Sequence, residues 1–561
     1  MKITGAEAVL LSLIEEGVDT IFGYPGGAIM PIYDALFDKK EVLNHILVRH
    51  EQGAVHAAEG YARIKGQVGV CIVTSGPGAT NLVTGLADAM SDSIPLVCIS
   101  GQVVSPLLGS DAFQETDVIG ITMPVTKWNY QITEAREIAE VMAKAFYVAR
   151  TGRPGPVMID IAKDAQFATV DFSYTKCTKL RSYLPFPKVQ KKDIDAAVAL
   201  INKAKKPLIL AGHGVLISHA ERELLQFAEK TGTPVALTLL GLSAFPSSHP
   251  LYVGMLGMHG NIGPNVNTNK CDLIIAIGMR FDDRITSDLR TYAKQASIIH
   301  IEIDPSEINK NVEANVKIVA DAGEALRSLL PKVNQANNSE WLCSFREHDR
   351  VEYDRVISKK LNSDSPEIKM DEVVDLVCRL TNGDAIIVSD VGQNQMVAAR
   401  NYKFNRTDSW VTSGGLGTMG FGLPAAIGAK IAAPQRDVVL FAGDGGFQMT
   451  LQELGTVAQT GAVIKIIVLN NRFLGMVRQW QDMFFDKRYS FTEITSPDFV
   501  TLASAYGIKG RKVTSREQLQ DAIVEQMQSK ESFLVEVMVE REDNVFPMVP
   551  SGENVSNIRL D

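Results

Sequence analysis

The sequence predicts an α/β protein of three doubly wound parallel-sheet domains. Three observations carry that expectation. At 561 residues the chain exceeds a single hydrophobic core, since domains usually run about 100–200 residues. Short apolar runs alternate with helix-length segments over most of its length, as parallel strands joined by crossover helices require. Two stretches with neither pattern, residues 166–190 and 332–350, interrupt the alternation and read as linkers.

The first block spans residues 1–165. Its opening, "MKITGAEAVLLSLIEEGVDT", reads as an amphipathic helix. "HILVRH" (45–50) is a strand leading into the helical "EQGAVHAAEGYARIKG". "VGVCIVTS" (68–75) and "IPLVCISGQ" (94–102) are strands on either side of the helix "GPGATNLVTGLADAMSDS". The second block, 190–335, offers "KPLILAGHGV", "TPVALTLLG", "CDLIIAIGMRF" and "SIIHIEIDP" as strands. The third, 370–545, offers "DAIIVSDVG", "DVVLFAGDGG", "VIKIIVLNN" and "SFLVEVMVE".

Composition narrows the function classes. Hydrophobic residues make up 45% and charged residues 22%, and the formal net charge is -9. An acidic chain is a poor partner for nucleic acid, which needs a basic face. No apolar run approaches the roughly 18 residues of a membrane span. The first twenty residues, with Glu15, Glu16 and Asp19, read as an amphipathic helix, without a basic n-region or an Arg/Ser-rich transit composition. The six cysteines are scattered without CxxC spacing, as expected of reduced thiols in the cytoplasm.

The chemistry concentrates at the ends of strands, where open parallel sheets bind their ligands. In "FAGDGGFQMTLQELGTVAQTGAVIKIIVLNN" (441–471) one strand breaks at Asp444 among glycines. The next ends at Asn471, with a helix between. A carboxylate and an amide oxygen are hard ligands for Mg²⁺, and Gly445 and Gly446 let backbone N–H groups approach a diphosphate. The alternative is a glycine turn with a capping aspartate and an unrelated asparagine pair. Upstream, "TSGGLGTMGFGLPAAIGAK" (412–430) crowds glycines around Met419, which reads either as a cofactor contact or as a gap-filling core methionine. Glu51 stands at a strand-to-helix turn, where a carboxylate also serves the helix dipole. "GMRFDDRIT" (278–286) carries Arg280 and Arg284, open to reading as a salt-bridge cluster.

Together with "YPGGAIMPIYDAL", "RHEQGAVHAAEGYAR", "TSGPGATNLVTGLADA", "GSDAFQE", "RPGPVMIDIAKD", "LGMHG", "GMVRQW" and "PMVPSGE", these stretches resemble the acetohydroxyacid synthase (acetolactate synthase) catalytic-subunit family of thiamine-diphosphate enzymes. The resemblance covers nearly the whole chain. The pair of "MRFDDR" and "GMVRQW" is its most specific part. It implies a pyrimidine-binding domain (1–165), a central FAD-type domain (190–335) and a diphosphate-binding domain (370–545). It also implies an active site shared between the first domain of one subunit and the third of another. It further implies a homodimer or homotetramer and a small regulatory subunit.

Carried over by motif, Asp444 and Asn471 hold Mg²⁺ with the backbone carbonyl of Phe473. Gly392, Gln393, Gly417, Gly445 and Gly446 line the thiamine cofactor, and Met419 bends it. Glu51 supplies the hydrogen bond to the pyrimidine N1′ that makes the cofactor's own amino group basic. Arg284 grips the carboxylate of the second 2-ketoacid and Trp480 shapes the pocket for its alkyl group. Gln114, Phe113 and Lys163 match positions around the substrate channel. For FAD the matching positions begin with Arg153, Gly212, Gly214, Thr238 and Leu239. They continue with Met258, His259, Gly278, Arg280, Asp304 and Asp321. The flavin is structural in this family. The implied reaction converts pyruvate, with a second pyruvate or 2-ketobutyrate, to 2-acetolactate or 2-aceto-2-hydroxybutyrate for branched-chain amino acid biosynthesis.

The chain departs from the family pattern at Asn394, commonly His, at Val104–Ser105, often Pro–Arg, and at Gly446, frequently Ser. Two rival classes stand beside this reading. A flavin oxidoreductase resembling pyruvate oxidase would reduce its flavin with pyruvate, and a binding protein on the same fold would lack Glu51, Asp444 and Asn471.

Overall fold

The computed structural model describes every residue, 1–561. Three six-stranded sheets, all parallel, are each wrapped by helices, and a two-stranded antiparallel ribbon is set apart. Numbered in chain order within each sheet, the strands of the first and third lie 2-1-3-4-6-5 and those of the middle sheet 3-2-1-4-5-6. The central strands are apolar on both faces because helices cover both, whereas edge strands such as Lys509–Val513 (KGRKV) stay polar and partly exposed. Val438–Gly443 (VVLFAG) and Leu273–Ile277 (LIIAI) are buried almost without interruption.

Strand order decides where ligands go. In doubly wound sheets the crevice opens where the winding reverses, beyond the carboxyl ends of the strands. In the third sheet that point lies between Ile386–Ser389 and Val438–Gly443. In the middle sheet it lies between Pro207–Ala211 and Leu273–Ile277.

Helix boundaries follow local chemistry. Gly5–Glu15 starts with a capping box in which Thr4 and Glu7 satisfy each other's backbone N–H groups. Glu51–Lys65 is capped by the His50 ring, which accepts from the Gln52 N–H, and it stops at Gly66 in the left-handed conformation. This helix crosses Gly422–Ala432 of the third domain so closely that a Cβ on Gly428 would lie 1.8 Å from the Ala57 carbonyl oxygen. A Cβ on Gly60 would likewise lie 2.1 Å from the carbonyl oxygen of Ala425. Each helix follows the second strand of its own sheet.

Two local readings of the sequence change. Thr169–Asp171, inside the stretch read as a linker, is a strand paired antiparallel with Lys2–Thr4, so the first helix begins only at Gly5. Ser339–Glu352, read as connecting, is a helix. Its charged residues hide two buried aromatic rings, Trp341 and Phe345, which pack edge to face at 5.1 Å and one helical turn apart. The Trp341 Nε1 donates to the Pro207 carbonyl at 2.9 Å and fastens the helix to the middle sheet. No helix is long and apolar enough to cross a membrane.

Candidate active site

Asp444 opens the helix that follows Val438–Gly443, and Asn471 follows the adjacent strand Lys465–Asn470. Both side chains are buried. Asp444 Oδ2 accepts from Ser496 Oγ at 2.8 Å, whereas Oδ1 has no partner. Burial pushes the Asp444 carboxyl up to about 6. An unpaired buried carboxylate oxygen is costly and calls for a cation. Asn471 Oδ1 accepts the Phe473 N–H at 3.0 Å, which leaves a lone pair, and its Nδ2 donates to Gln393 Oε1 at 3.4 Å. These groups surround a cradle of about 50 Å³ that Gly392, Gly445 and Gly446 also line.

The loop above the cradle is held by a residue that sequence reasoning missed. Asp390, fully buried at the end of Ile386–Ser389, accepts from the Val391 and Gly420 N–H groups through Oδ1 at 2.8 and 3.1 Å. Its Oδ2 accepts from Gly422 at 2.8 Å. It thereby closes the glycine loop and sets Met419 at the boundary of the cradle and a larger cavity, both of which Met419 lines. Asp390 carries the signal that singled out Asp444, a carboxylate at the end of an apolar strand. A Cβ on Gly446 would lie 2.3 Å from Asp390 Oδ1. Asn394 turns its Nδ2 to the carbonyls of Asp390 and Phe441, at 2.7 and 3.2 Å.

The larger cavity, about 850 Å³, runs from Met419 along the carboxyl end of the middle sheet. Arg284, Trp480 and Gly417 also line it. The Arg284 guanidinium is more than half exposed and has only Asp283, at 3.5 Å, as an ionic partner. Trp480 shares the helix Gly475–Phe484 with Met476 and Val477, which line the same wall. Gly214, Thr238, Leu239, Met258 and His259 line the wall along the middle sheet. Gly278, Arg280, Asp321 and Arg153 complete it. A Cβ on Gly278 would lie 2.6 Å from the Gly214 Cα, so the two turns at the switch point close without side chains. Gly212 lies behind this surface, against the Gly278 carbonyl. Asp304 stands behind Arg153, which it pairs at 3.4 Å, while Glu307 pairs the same guanidinium at 3.1 Å. Burial lowers His259 to about 3 and His213 to about 4, so both rings are neutral at physiological pH.

The residues assigned from the sequence to proton transfer and the substrate channel, Glu51, Phe113, Gln114 and Lys163, line neither cavity. Glu51 begins its helix half-buried, and its Oε2 accepts from Asn81 Nδ2 at 2.9 Å. Gln114 adopts a left-handed backbone beside Gly76, next to Phe113, which is 89% exposed. Lys163 begins the short helix Lys163–Phe167.

Models of the thiamine pyrophosphate enzyme family match this chain in three consecutive parts. The N-terminal TPP binding domain matches residues 3–121, the central domain 194–329 and the C-terminal TPP binding domain 390–537. Among similar proteins, the acetolactate synthase large subunit of Corynebacterium glutamicum is 46% identical, over 100% of this chain and 90% of its own length. The acetolactate synthase isozyme 2 large subunit of Escherichia coli K12 is 44% identical over 99% of both chains. The acetolactate synthase large subunit of Haemophilus influenzae is 45% identical, over 100% of this chain and 98% of its own. The chain belongs to the acetolactate synthase large-subunit family of thiamine pyrophosphate enzymes. As a family member it carries thiamine pyrophosphate-binding domains, and all the residues lining the cradle except Met370 lie within the part matched by the C-terminal one.

Family membership leaves the contributions of Asp390, Asn81 and Ser496 to be read from the tertiary contacts. Asn81 and Ser496 gave no signal in the sequence, because each matters only through a carboxylate distant along the chain.

Proposed function

We propose that this chain is the catalytic subunit of an acetolactate synthase. It releases CO₂ from pyruvate and joins the remaining two-carbon unit to pyruvate or 2-ketobutyrate. The products, 2-acetolactate and 2-aceto-2-hydroxybutyrate, lead to valine, leucine and isoleucine. The observation that carries this reading is a single cavity lined by Met419, Arg284 and Trp480, adjoining the cradle that holds the unpaired Asp444 oxygen.

Bound thiamine diphosphate supplies the electron sink for breaking the C1–C2 bond of pyruvate. Asp444 Oδ1, Asn471 Oδ1 and the Phe473 carbonyl would hold Mg²⁺ at the diphosphate, as hard oxygen donors suit that ion. Gly392, Gln393, Gly417, Gly445 and Gly446 give the cofactor its bed. Asn81 engages one oxygen of Glu51 and leaves Oε1 to share a proton with a pyrimidine ring nitrogen. The planar fork of Arg284 suits the acceptor's carboxylate, and Trp480 offers an apolar face to its alkyl group. Gln114 and Lys163 are assigned to the substrate channel. Glu51, Gln114 and Lys163 lie outside both cavities of their own chain, so the reading calls for a second copy, in a homodimer or homotetramer.

FAD is the proposed occupant of the larger cavity. Its volume of about 850 Å³ and its place at the switch of a 3-2-1-4-5-6 sheet both suit a dinucleotide. Joining two ketoacids with loss of CO₂ needs no net redox, so the flavin has a structural part. The functional division is taken as residues 1–165, 190–335 and 370–545. A small regulatory subunit is proposed as a partner, because the relatives are named large subunits. A cytoplasmic location suits an acidic chain with six free thiols.

The test supplies purified protein with pyruvate, thiamine diphosphate, Mg²⁺ and FAD. Acetolactate formed without flavin reduction supports the reading. Flavin bleached by pyruvate, with no acetolactate, would replace it with an oxidase.

A further inference from the structure

The helix Val83–Asp92 of the first domain ends against the loop that carries Met419. Asp92, with a fully buried side chain, receives the Gly414 N–H on Oδ2 at 2.9 Å and the Gly415 N–H on Oδ1 at 2.6 Å. Arg63 Nη2 donates to the same Oδ2 at 2.7 Å. One turn earlier Asp88 Oδ1 accepts from Ser413 Oγ at 2.8 Å, and Ser413 Oγ accepts the Thr418 N–H at 2.8 Å. Two carboxylates on one helical face thus hold the start of the segment 413–418, and Ser413 Oγ ties its far end, directly before Met419.

The same short segment borders the larger cavity. Ser91, Asp92 and Ser93 line it. His213 Nδ1 is 3.0 Å from the Asp92 carbonyl oxygen. Arg153 donates through Nε to Ser93 Oγ at 2.8 Å and through Nη2 to the Ser91 carbonyl at 3.5 Å. Arg153 and His213 also line that cavity. Residues 91–93 are therefore held by groups facing the larger cavity, while the Asp92 side chain holds Gly414 and Gly415, which line that cavity in the loop that carries Met419 to the cradle.

We propose that Asp92 is a positioning residue that couples the two cofactor sites: occupancy of the larger cavity fixes residues 91–93, and Asp92 passes that order to the Met419 loop. The inference rests on the reading that FAD fills the larger cavity and thiamine diphosphate the cradle. Reciprocity requires each ligand to tighten the other by the same factor, and such couplings typically span about 5–150-fold.

The test measures FAD affinity by flavin fluorescence, with and without saturating thiamine diphosphate and Mg²⁺. Thiamine diphosphate affinity is measured by calorimetry, with and without FAD. The wild type should show one reciprocal factor of at least about fivefold. In Asp92→Asn, where an amide replaces one of the two accepting oxygens, that factor should fall towards one. Ser413→Ala, which removes the neighbouring Asp88 anchor of the same loop and is the variant less disruptive to folding, should reduce it in the same direction. A merely structural part would weaken each affinity and leave the ratio intact. An unchanged ratio in a cooperatively folding variant, or wild type that binds both ligands without coupling, overturns the inference alone. Wild type that binds no FAD overturns the functional reading and this inference with it.

Discussion

The first and third sheets share the strand order 2-1-3-4-6-5, yet the same place in each does different work. At the switch point of the third, Asp444 keeps an unpaired oxygen over an open cradle. At that of the first, the turn after Thr20–Gly23 is packed shut, since a Cβ on Gly26 would lie 2.6 Å from the Thr74 Cβ. The turns after the second strands differ in the opposite sense. In the first domain three residues lead from Leu47 to Glu51, whereas in the third the glycine loop 413–421 carries Met419. The helices that follow these two turns are the pair that cross at Gly60 and Gly428. One topology thus presents a carboxyl group in one copy and a cofactor bed in the other. Chemistry resides in the residues at strand ends and not in the fold.

That contrast predicts separable defects. Glu51→Gln should keep the fold and bind thiamine diphosphate within a few-fold of wild type. It should slow exchange of the cofactor's C2 proton by about 10²–10⁴-fold. Proton exchange followed by NMR checks this, and a near-normal rate would remove Glu51 from the chemistry. Asp444→Ala should do the reverse, losing Mg²⁺ and thiamine diphosphate together. The loss should exceed the roughly 10–100-fold typical of groups that only support a ligand. Unchanged affinities by calorimetry would show that the unpaired oxygen serves another purpose.

The joint between the two domains comes next. Gly428→Ala puts a methyl group where the Ala57 carbonyl stands, and overpacking of this kind typically costs about 1–3 kcal/mol. Denaturant titration reads the cost, and a neutral result would mean that the helices separate easily.

The smallest effect concerns acceptor choice. Trp480 has no counterpart in the first domain, where the segment after Leu96–Gln102 carries Phe113 and Gln114 instead. Pyruvate and 2-ketobutyrate differ by one methylene, worth about 0.8 kcal/mol when buried, and apolar pockets discriminate it by roughly 10–200-fold. Trp480→Leu should lose most of the preference for 2-ketobutyrate while still making acetolactate. Arg284→Lys should impair both products, because an ammonium lacks the bidentate fork. Product ratios from competing ketoacids, measured by chromatography, separate the two, and a ratio unaltered in Trp480→Leu would clear the indole from the acceptor pocket.

The sequence by itself determined the parallel sheets, because strands covered on both faces must be apolar throughout and helices between them must be amphipathic. It also marked Asp444 and Asn471, since a polar residue that breaks an apolar strand is visible in a line of letters. It concealed the helix Ser339–Glu352, whose buried Trp341 and Phe345 are scattered among charges. Only the tertiary structure decided which strand ends meet, because strand order is set by crossovers that local patterns do not encode. The same holds for Asp390, for Asn81 beside Glu51 and for Asp92 beneath Gly414 and Gly415. A carboxylate's worth depends on the donors that surround it once water is excluded, and the two backbone donors to Asp92, Gly414 and Gly415, lie 322 and 323 residues away along the chain.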